Sequence, residues 1–348
     1  MSLQLHDIRR QSRTISLRNG SAGNTVPVNR VNRREFLRQS ALTVPAAAAV
    51  MTQLGQLQAA DFTKRSMTID LVCGNLGIAA AQPEAVALAA RHGFESVGAD
   101  ASYLASVSQA GLAELKDLMK GSGLVFGAAG LPVEFRQDEQ KFAESLKKLP
   151  DIAAGLQRAG VNRIATWLTP CDAQLTYLKN FRRHVTRLRP IAKLLKDYNL
   201  RLGLEYVSPK TSWTSRRYPF IHTMGEMKDL IAEIDINNVG LVLDSWHWWN
   251  AGDSAEDILA LKGSEVIAVD LNDAPAGIPK DHQLDNHREL PCATGVIDLG
   301  AFLNALNKIG YNGPVRAEPF NQAVNKMSKN EACQAAAAAL RTAFAKVS

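Results

Sequence analysis

Apolar and polar positions follow two alternating rhythms between residues 67 and 348. Short apolar runs rich in β-branched residues predict strands, and longer segments with apolar residues at helical spacing predict helices. The predicted strands cover residues 68–72, 95–99, 124–129, 163–168, 202–207, 239–244, 265–271 and 315–318. The predicted helices cover residues 83–92, 109–120, 139–159, 177–198, 225–234, 255–261, 299–309 and 331–346. Each strand is followed by a helix, which predicts a parallel sheet covered by helices.

The number of strand–helix units predicts how this sheet is completed. Eight units are the number found in closed barrels, so we predict an α/β fold, a single-domain (β/α)8 TIM barrel over residues 61–348. A doubly wound open sheet is the alternative, and it usually carries a glycine-rich phosphate-binding turn, G-x-G-x-x-G, after an early strand. This chain has only Gly74 and Gly77 at that place, so the barrel is favoured.

The charge of the chain is concentrated in its first 60 residues. That segment has eight arginines and no lysine, with Asp7 and Glu35 as its acids, so its formal charge is 8 − 2 = +6. The whole chain also carries +6, so residues 61–348 are formally neutral. A nucleic-acid partner needs a basic surface surplus, and we therefore expect none.

Residues 32–38, Asn-Arg-Arg-Glu-Phe-Leu-Arg, resemble a twin-arginine export signal. A mildly apolar stretch over 41–51 follows; it is too short to span a bilayer but typical of a signal peptide, and small residues at 57–60 offer a cleavage site. We expect residues 1–60 to be a leader recognised by the twin-arginine export machinery. The location expected is then periplasmic or extracellular, with no stable membrane anchor. The alternative is a chance basic pair at a disordered terminus.

The four cysteines, Cys73, Cys171, Cys292 and Cys333, are far apart and form no CxxC pair or zinc-ribbon spacing. This spacing favours unpaired structural thiols. A disulfide stays open for an exported protein, but the sequence cannot pair the cysteines.

Carboxylates stand at the ends of the last four predicted strands: Glu205 on the fifth, Asp244 on the sixth and Glu318 on the eighth, while the seventh offers Asp270, Asn272 and Asp273. Active sites of such barrels lie at the C-terminal ends of the strands. Carboxylates buried together without partners are costly, and a divalent cation would remove that cost. Oxygen ligands favour Mn²⁺ or Mg²⁺, with Co²⁺ and Zn²⁺ as further candidates.

Aromatic and polar side chains follow the strand that ends at Asp244. His247 lies three residues further on, where it could contact substrate. Trp246 beside it could form an aromatic wall of the site, with core packing as the alternative.

Several motifs resemble those of the xylose isomerase-like sugar phosphate isomerase/epimerase barrels. They are Leu-Asp-Ser-Trp-His at 243–247, Leu-Asn-Asp-Ala-Pro at 271–275, His-Arg-Glu-Leu-Pro at 287–291 and Gly-Tyr-Asn-Gly-Pro-Val-Arg-Ala-Glu at 310–318. The resemblance implies substrate contacts by His247 and Arg288. It also implies one metal, held by the set Glu205, Asp244, Asp270 and Glu318.

The sequence departs from that family in three places. The family usually has His, sometimes Gln, where this chain has Asp270. The family's Pro-Gly-Glu-Gly run is replaced by residues 291–295, and its glutamate at the end of strand two by Gly98. The last two changes alter the walls on the substrate side, so substrate identity does not carry over.

The chemistry that the resemblance implies is proton removal beside a metal-bound carbonyl, through an enediolate, with Glu205 and Glu318 as base and acid. We expect a metal-dependent isomerase or epimerase of a small-molecule sugar or cyclitol. The alternatives are a dehydratase or lyase of a keto-sugar or inosose on the same site, and a non-catalytic sugar-binding barrel. A phosphodiesterase like endonuclease IV needs more histidine ligands than this chain places suitably. A homo-oligomer is left open.

Overall fold

The computed structural model describes residues 65–348, in which eight parallel strands close into a barrel. The strands are β1 (Thr68–Leu71), β2 (Ser96–Ala99), β3 (Val125–Gly130), β4 (Arg163–Trp167), β5 (Arg201–Glu205), β6 (Val239–Asp244), β7 (Val266–Leu271) and β8 (Pro314–Ala317). Each strand pairs with its neighbour in sequence, and β8 pairs with β1. The predicted (β/α)8 barrel is confirmed. The predicted leader, with its export motif and cleavage site, lies outside the described residues.

Helices cover the barrel and fill several of its loops. They are α1 (Gln82–His92), α2 (Ala101–Ser106), α3 (Gln109–Gly121), α4 (Glu139–Ala159), α5 (Tyr177–Asp197), α6 (Lys210–Trp213), α7 (Met224–Ile234), α8 (Ser245–Ala251), α9 (Ala255–Leu259), α10 (Leu299–Lys308), α11 (Gln322–Asn325) and α12 (Lys329–Phe344). All eight predicted helices are present, with ends that shift by at most two residues. The four that the sequence pattern did not predict, α2, α6, α8 and α11, are short segments of the connections, where too few turns exist for a periodic pattern.

Local sequence signals explain where the long helices begin and end. Gly93 and Gly160 follow α1 and α4 in the left-handed conformation that glycine adopts without strain. Ser328 and Glu331 form a capping box at the start of α12, in which each side chain bonds the other residue's backbone N–H. Pro190 lies inside α5, which continues through it.

The barrel interior is filled below the predicted site by small apolar side chains. Ala128, Val242 and Ala268 pack together there, with Ala165 against them. A larger aliphatic core lies between the strands and the helices. Asp244 and Asp270 lie further along β6 and β7, two of the strands that form this layer, at the C-terminal side of the barrel.

Two short strands outside the barrel, Cys171–Asp172 and Tyr218–Pro219, pair antiparallel. They join the connection after β4 to the connection after β5 beside the site. All four cysteines fall within the described residues, and each is free. In the part of the chain that the structure describes, none of the helices has the length and apolar character that crossing a membrane requires.

Candidate active site

Strand register places four charged residues in one row across the barrel. Asp244 on β6 is the backbone partner of Asp270 on β7, which pairs with Arg316 on β8, which in turn pairs with Asp70 on β1. Side chains at paired positions of neighbouring strands point to the same face. The row therefore brings three carboxylates and one guanidinium to the same level of the barrel.

The residues predicted as metal ligands do meet, in two overlapping groups. Glu205, Asp270 and Glu318 each offer an oxygen within 4.8 Å of the others. Glu205, Asp244 and His247 form a second group within the same limit. Glu205 belongs to both groups, and its Oε1 atom is buried without a hydrogen-bond partner among the described residues.

Arg288 is the central cation of the site and is almost fully buried. Its Nη1 atom donates to Asp244 Oδ2 at 2.7 Å and to Glu318 Oε2 at 3.1 Å. Its Nη2 atom donates to Asp285 Oδ1 at 2.7 Å and lies 3.3 Å from His247 Nε2. One guanidinium thus compensates three carboxylates, which come from the end of β6, the connection after β7 and the residue that follows β8.

Asp270 is chelated by a second arginine. Arg316 Nε donates to Asp270 Oδ1 at 2.6 Å, and its Nη2 donates to Oδ2 at 2.8 Å. Both carboxylate oxygens are therefore engaged by a cation. The prediction that Asp270 binds a metal requires an oxygen that accepts from Arg316 to contact the metal as well, or the ion pair to open.

Burial dominates the protonation equilibria of the site because it disfavours the charged form of a carboxyl group. Burial, followed by the negative charge of Asp270, raises the pKa of Glu318 to about 8. Burial and the nearby Glu318 hold the pKa of Glu205 well above its usual range. Burial also raises the pKa of Asp244, to about 6, against the opposing charge of Arg288. Two glutamates that meet at one point can therefore hold protons near neutral pH.

His247 is neutral in this setting. Burial and the adjacent Arg288 lower its pKa to about 3. Its Nε2 atom lies 3.8 Å from Glu205 Oε1 and 3.7 Å from Asp285 Oδ1. The imidazole is thus available as a neutral hydrogen-bonding group beside both carboxylates.

Two cavities open on the site. One of about 460 Å³ is lined by Glu205, Glu318, His247, Asp285 and Arg288, together with residues of the two joined loops. One of about 310 Å³ extends in the other direction over β1 to β4 and also borders Glu205 and Glu318. His247 and Arg288, the two residues for which the resemblance implies substrate contacts, thus line the larger cavity.

The aromatic wall predicted from Trp246 does not fit the structure. Its ring is 0% exposed and lies beneath Arg288, with the guanidinium carbon 5.6 Å from the ring centre. The exposed aromatic rings at the site are Trp167 at the end of β4, 47% exposed, and Phe320 after β8, 38% exposed. Phe320 has a φ of 40°, a backbone conformation that strains a bulky residue.

The residues that sequence reasoning missed have recognisable positions. Trp167 ends a strand, and Phe320 stands two residues after Glu318, so the rule that selected the carboxylates would also have selected these two. Arg316 could be found only from the register of β7 and β8, and Asp285 lies in a connection without a periodic pattern.

Comparison with known proteins places this barrel. The family described as xylose isomerase-like TIM barrel matches residues 86–343. The chain belongs to the xylose isomerase-like TIM barrel family.

Relatives of this family member are named as isomerases, epimerases and dehydratases. This chain is 24% identical over 201 residues to the inosose isomerase of Bacillus subtilis, and the match covers 58% of this chain and 69% of that protein. It is 26% identical over 244 residues to the D-psicose 3-epimerase of Ruminiclostridium cellulolyticum, covering 66% and 75%. A 29% identical match to the 3-dehydroshikimate dehydratase of Pseudomonas aeruginosa covers 38% of this chain and only 20% of that protein.

Solved structures share the family barrel. A xylose isomerase domain protein from Alicyclobacillus acidocaldarius superposes with a TM-score of 0.71 at 28% identity, covering 80% of this chain and 99% of that one. The IOLI protein, whose structure is described as having a binding zinc atom, superposes with a TM-score of 0.67 at 21% identity, covering 81% and 99%. At that identity the second likeness concerns the fold.

The donor set of this barrel fits a divalent metal. Three carboxylate oxygens converge within 4.8 Å, and no group within residues 65–348 donates a hydrogen bond to Glu205 Oε1. Convergent carboxylates with an unsatisfied oxygen are what a hard divalent cation binds. Glu205, Glu318 and Asp270 would hold it on one side, and Asp244 and His247 adjoin Glu205 on the other.

Proposed function

We propose that this protein is a metal-dependent isomerase or epimerase of a sugar or cyclitol that removes a proton next to a carbonyl. The observation that carries the proposal is the meeting of Glu205 and Glu318 between the two cavities, with oxygens within 4.8 Å. The names of the inosose isomerase and psicose epimerase relatives support the substrate class.

The two glutamates suit acid and base work because burial raises the pKa of both carboxyl groups, that of Glu318 to about 8, and a carboxylate with a raised pKa is a stronger base once ionised. We assign Glu205 the base role, because no group among the described residues donates to its Oε1 atom, and an oxygen of this carboxylate that the metal leaves free can accept the proton. Glu318 then returns a proton from the other side, while Arg288 orients it through the 3.1 Å hydrogen bond. Return to the opposite face of the same carbon is epimerisation, and return to the neighbouring carbon is isomerisation.

A divalent ion, with Mn²⁺ or Mg²⁺ favoured and Co²⁺ or Zn²⁺ as further candidates, would supply Lewis acidity that polarises the carbonyl. The proposed ligands are Glu205, Asp244, Asp270 and Glu318. His247 and Arg288 line the larger cavity and would bind substrate hydroxyls.

Elimination of a β-hydroxyl is the second candidate, because the same proton removal starts it. The dehydratase relative supports it. A binding barrel without turnover is the third, favoured by the chelation of Asp270 by Arg316.

The test uses the full chain, supplied with all four divalent ions, and measures bound metal and exchange of keto-sugar and inosose hydrogens in heavy water. We expect about one ion per chain and exchange that falls by about 10²-fold or more in Glu205→Gln and Glu318→Gln. Glu114→Gln, an exposed glutamate on α3, is the matched control and should exchange normally. Neither metal nor exchange in the native chain would leave the binding barrel as the better account.

The leader supports a further proposal, that the enzyme works outside the cytoplasm. Replacing Arg33 and Arg34 together by Lys should trap a tagged chain in the cytoplasm of an expressing bacterium. Unchanged export would contradict the twin-arginine assignment.

A further inference from the structure

The two glutamates are bordered by space on two sides. Of the residues that the structure describes, three line both cavities: Trp167, Glu205 and Glu318. A group that reacts between the two glutamates therefore has room for further atoms in both directions. Each cavity taken alone, about 460 Å³ and about 310 Å³, has the size of a small-molecule site.

The larger space, which we call the ring cavity, contains the polar groups of the site. His247, Asp285 and Arg288 line it beside the glutamates, and Phe320 forms part of its wall. Polar groups beside an exposed aromatic ring suit a polyhydroxylated ring, which has hydroxyl edges and apolar C–H faces.

The smaller space, which we call the slot, is made by small residues. Gly98 and Ala99 on β2, Ala129 and Gly130 on β3, and Ala165 on β4 line it. β2 and β3 carry glycine or alanine at their C-terminal ends, and β4 carries Ala165 two residues before its end, which leaves a gap that longer side chains at these positions would fill. The slot is thus open because of the residue types in these strands.

A polar atom in the slot lacks a partner. Asn75 Nδ2 is buried and has no hydrogen-bond acceptor among the described residues, and Asn75 lines the slot. A buried donor without an acceptor is costly, and native structures usually satisfy such groups. An oxygen of a bound molecule would satisfy this one.

We propose that the substrate is a two-part molecule, a sugar or cyclitol ring that carries a second group through a glycosidic oxygen. The ring lies in the ring cavity, the second group lies in the slot within reach of Asn75, and Trp167 lies between the two. The proposal rests on the proposed function for the chemistry of the ring, and it extends that function to glycosides.

Gly130 allows a direct test. A Cβ atom at this position would meet no atom within 4 Å, and its φ is not in the left-handed region, so Gly130→Phe adds a ring to the slot without a clash at Cβ. Gly130→Leu is a smaller step in case the phenyl ring disturbs folding. Gly225→Phe is the matched control, because that glycine is equally open but lies at the exposed start of α7, outside both cavities.

The full-length, metal-loaded protein would be titrated calorimetrically with a keto-sugar, a glucose in which one hydroxyl other than the anomeric one is oxidised to a ketone. The second titrant would be the nitrophenyl glycoside of the same keto-sugar. We expect native protein and Gly225→Phe to bind the glycoside at least ~10-fold more tightly than the free sugar, about what one well-placed ring adds. In Gly130→Phe and Gly130→Leu the ratio of the two Kd values should approach one. No preference in the native protein, or an unchanged preference in both Gly130 variants, would overturn the proposal.

Hydrogen exchange in heavy water, measured on the same samples, separates this proposal from the proposed function. A glycoside preference that depends on Gly130, seen without exchange, would support the two-part ligand and refute the proton-transfer chemistry. Exchange of both compounds without a preference would support the chemistry and overturn the two-part substrate.

Discussion

Arg288 offers a sharp test of how the acidic site is held together. Its buried guanidinium bonds Asp244, Asp285 and Glu318 at 2.7, 2.7 and 3.1 Å. Arg288→Met keeps most of the side-chain volume and removes the charge, so three carboxylates face one another without compensation. Removing one partner of a buried ion pair typically costs about 3–5 kcal/mol. We expect a loss of that size in the free energy of unfolding at pH 8 without metal.

The loss should depend on pH and on metal. At pH 5 the carboxyl groups that have lost Arg288 take up protons in the folded state, so the difference in unfolding free energy between the variant and the native protein should shrink. Excess Mn²⁺ should also shrink it, because the cation supplies the charge that the arginine supplied. Urea unfolding followed by tryptophan fluorescence, at pH 8 and pH 5 and with EDTA or Mn²⁺, measures all four conditions.

The matched control is Arg216→Met. Arg216 lines the same cavity but is exposed, and its side chain makes no ion pair or hydrogen bond within residues 65–348, so its replacement should change the unfolding free energy by less than about 0.5 kcal/mol. A loss below about 1 kcal/mol for Arg288→Met at pH 8, or an equal loss at pH 5, would refute the view that Arg288 compensates the buried charges.

Three further predictions concern the surroundings of the site. Burial raises the pKa of Asp70 to about 6, and neither of its oxygens has a hydrogen-bond partner in the described chain, so its charge opposes folding above pH 6 by up to about 3 kcal/mol. Asp70→Asn should therefore raise the unfolding free energy by about 1–3 kcal/mol at pH 8 but hardly at pH 4, and no gain at pH 8 would contradict this reasoning. Burial lowers the pKa of His184 to about 4, so between pH 6.5 and pH 4 the unfolded chain binds a proton that the folded protein does not, and up to about 3 kcal/mol of stability should be lost. In His184→Gln the unfolding free energy, measured with urea, should fall less steeply over this range; an equally steep fall would contradict the prediction. Gly155→Ala would place a Cβ atom 2.5 Å from Ala105 Cα, which should lower the unfolding free energy by about 1–3 kcal/mol, and thermal unfolding with no loss would show that α2 and α4 separate easily.

Local pattern was sufficient for the barrel and for part of its site. The periods of strands and helices reflect which faces are buried, and the order of apolar and polar residues along the chain shows those faces directly. Parallel strands that alternate with helices bring all their C-terminal ends to one face. Glu205, Asp244, Asp270 and Glu318 could therefore be placed together before any coordinates, because the argument needs only strand ends and topology.

Side-chain direction was beyond the reach of the pattern. Trp246 and His247 are adjacent in sequence, yet on the helix that follows Asp244 successive side chains point about 100° apart. The indole is consequently buried in the core, whereas the imidazole lines the cavity. Trp167 and Phe320 provide the exposed rings instead, since the first ends β4 and the second follows β8, at the side of the barrel where the cavities open.

The sequence by itself thus determined a (β/α)8 barrel with carboxylates at the C-terminal ends of its last four strands, because periodicity and topology are local and repetitive. The tertiary structure decided how those charges are balanced, through Arg288 from a loop and Arg316 from the register of two strands. It also decided the protonation of Glu205 and Glu318, since their pKa values depend on burial and on charges brought from distant parts of the chain. Contacts between residues far apart in sequence leave no periodic trace, and only folding creates them.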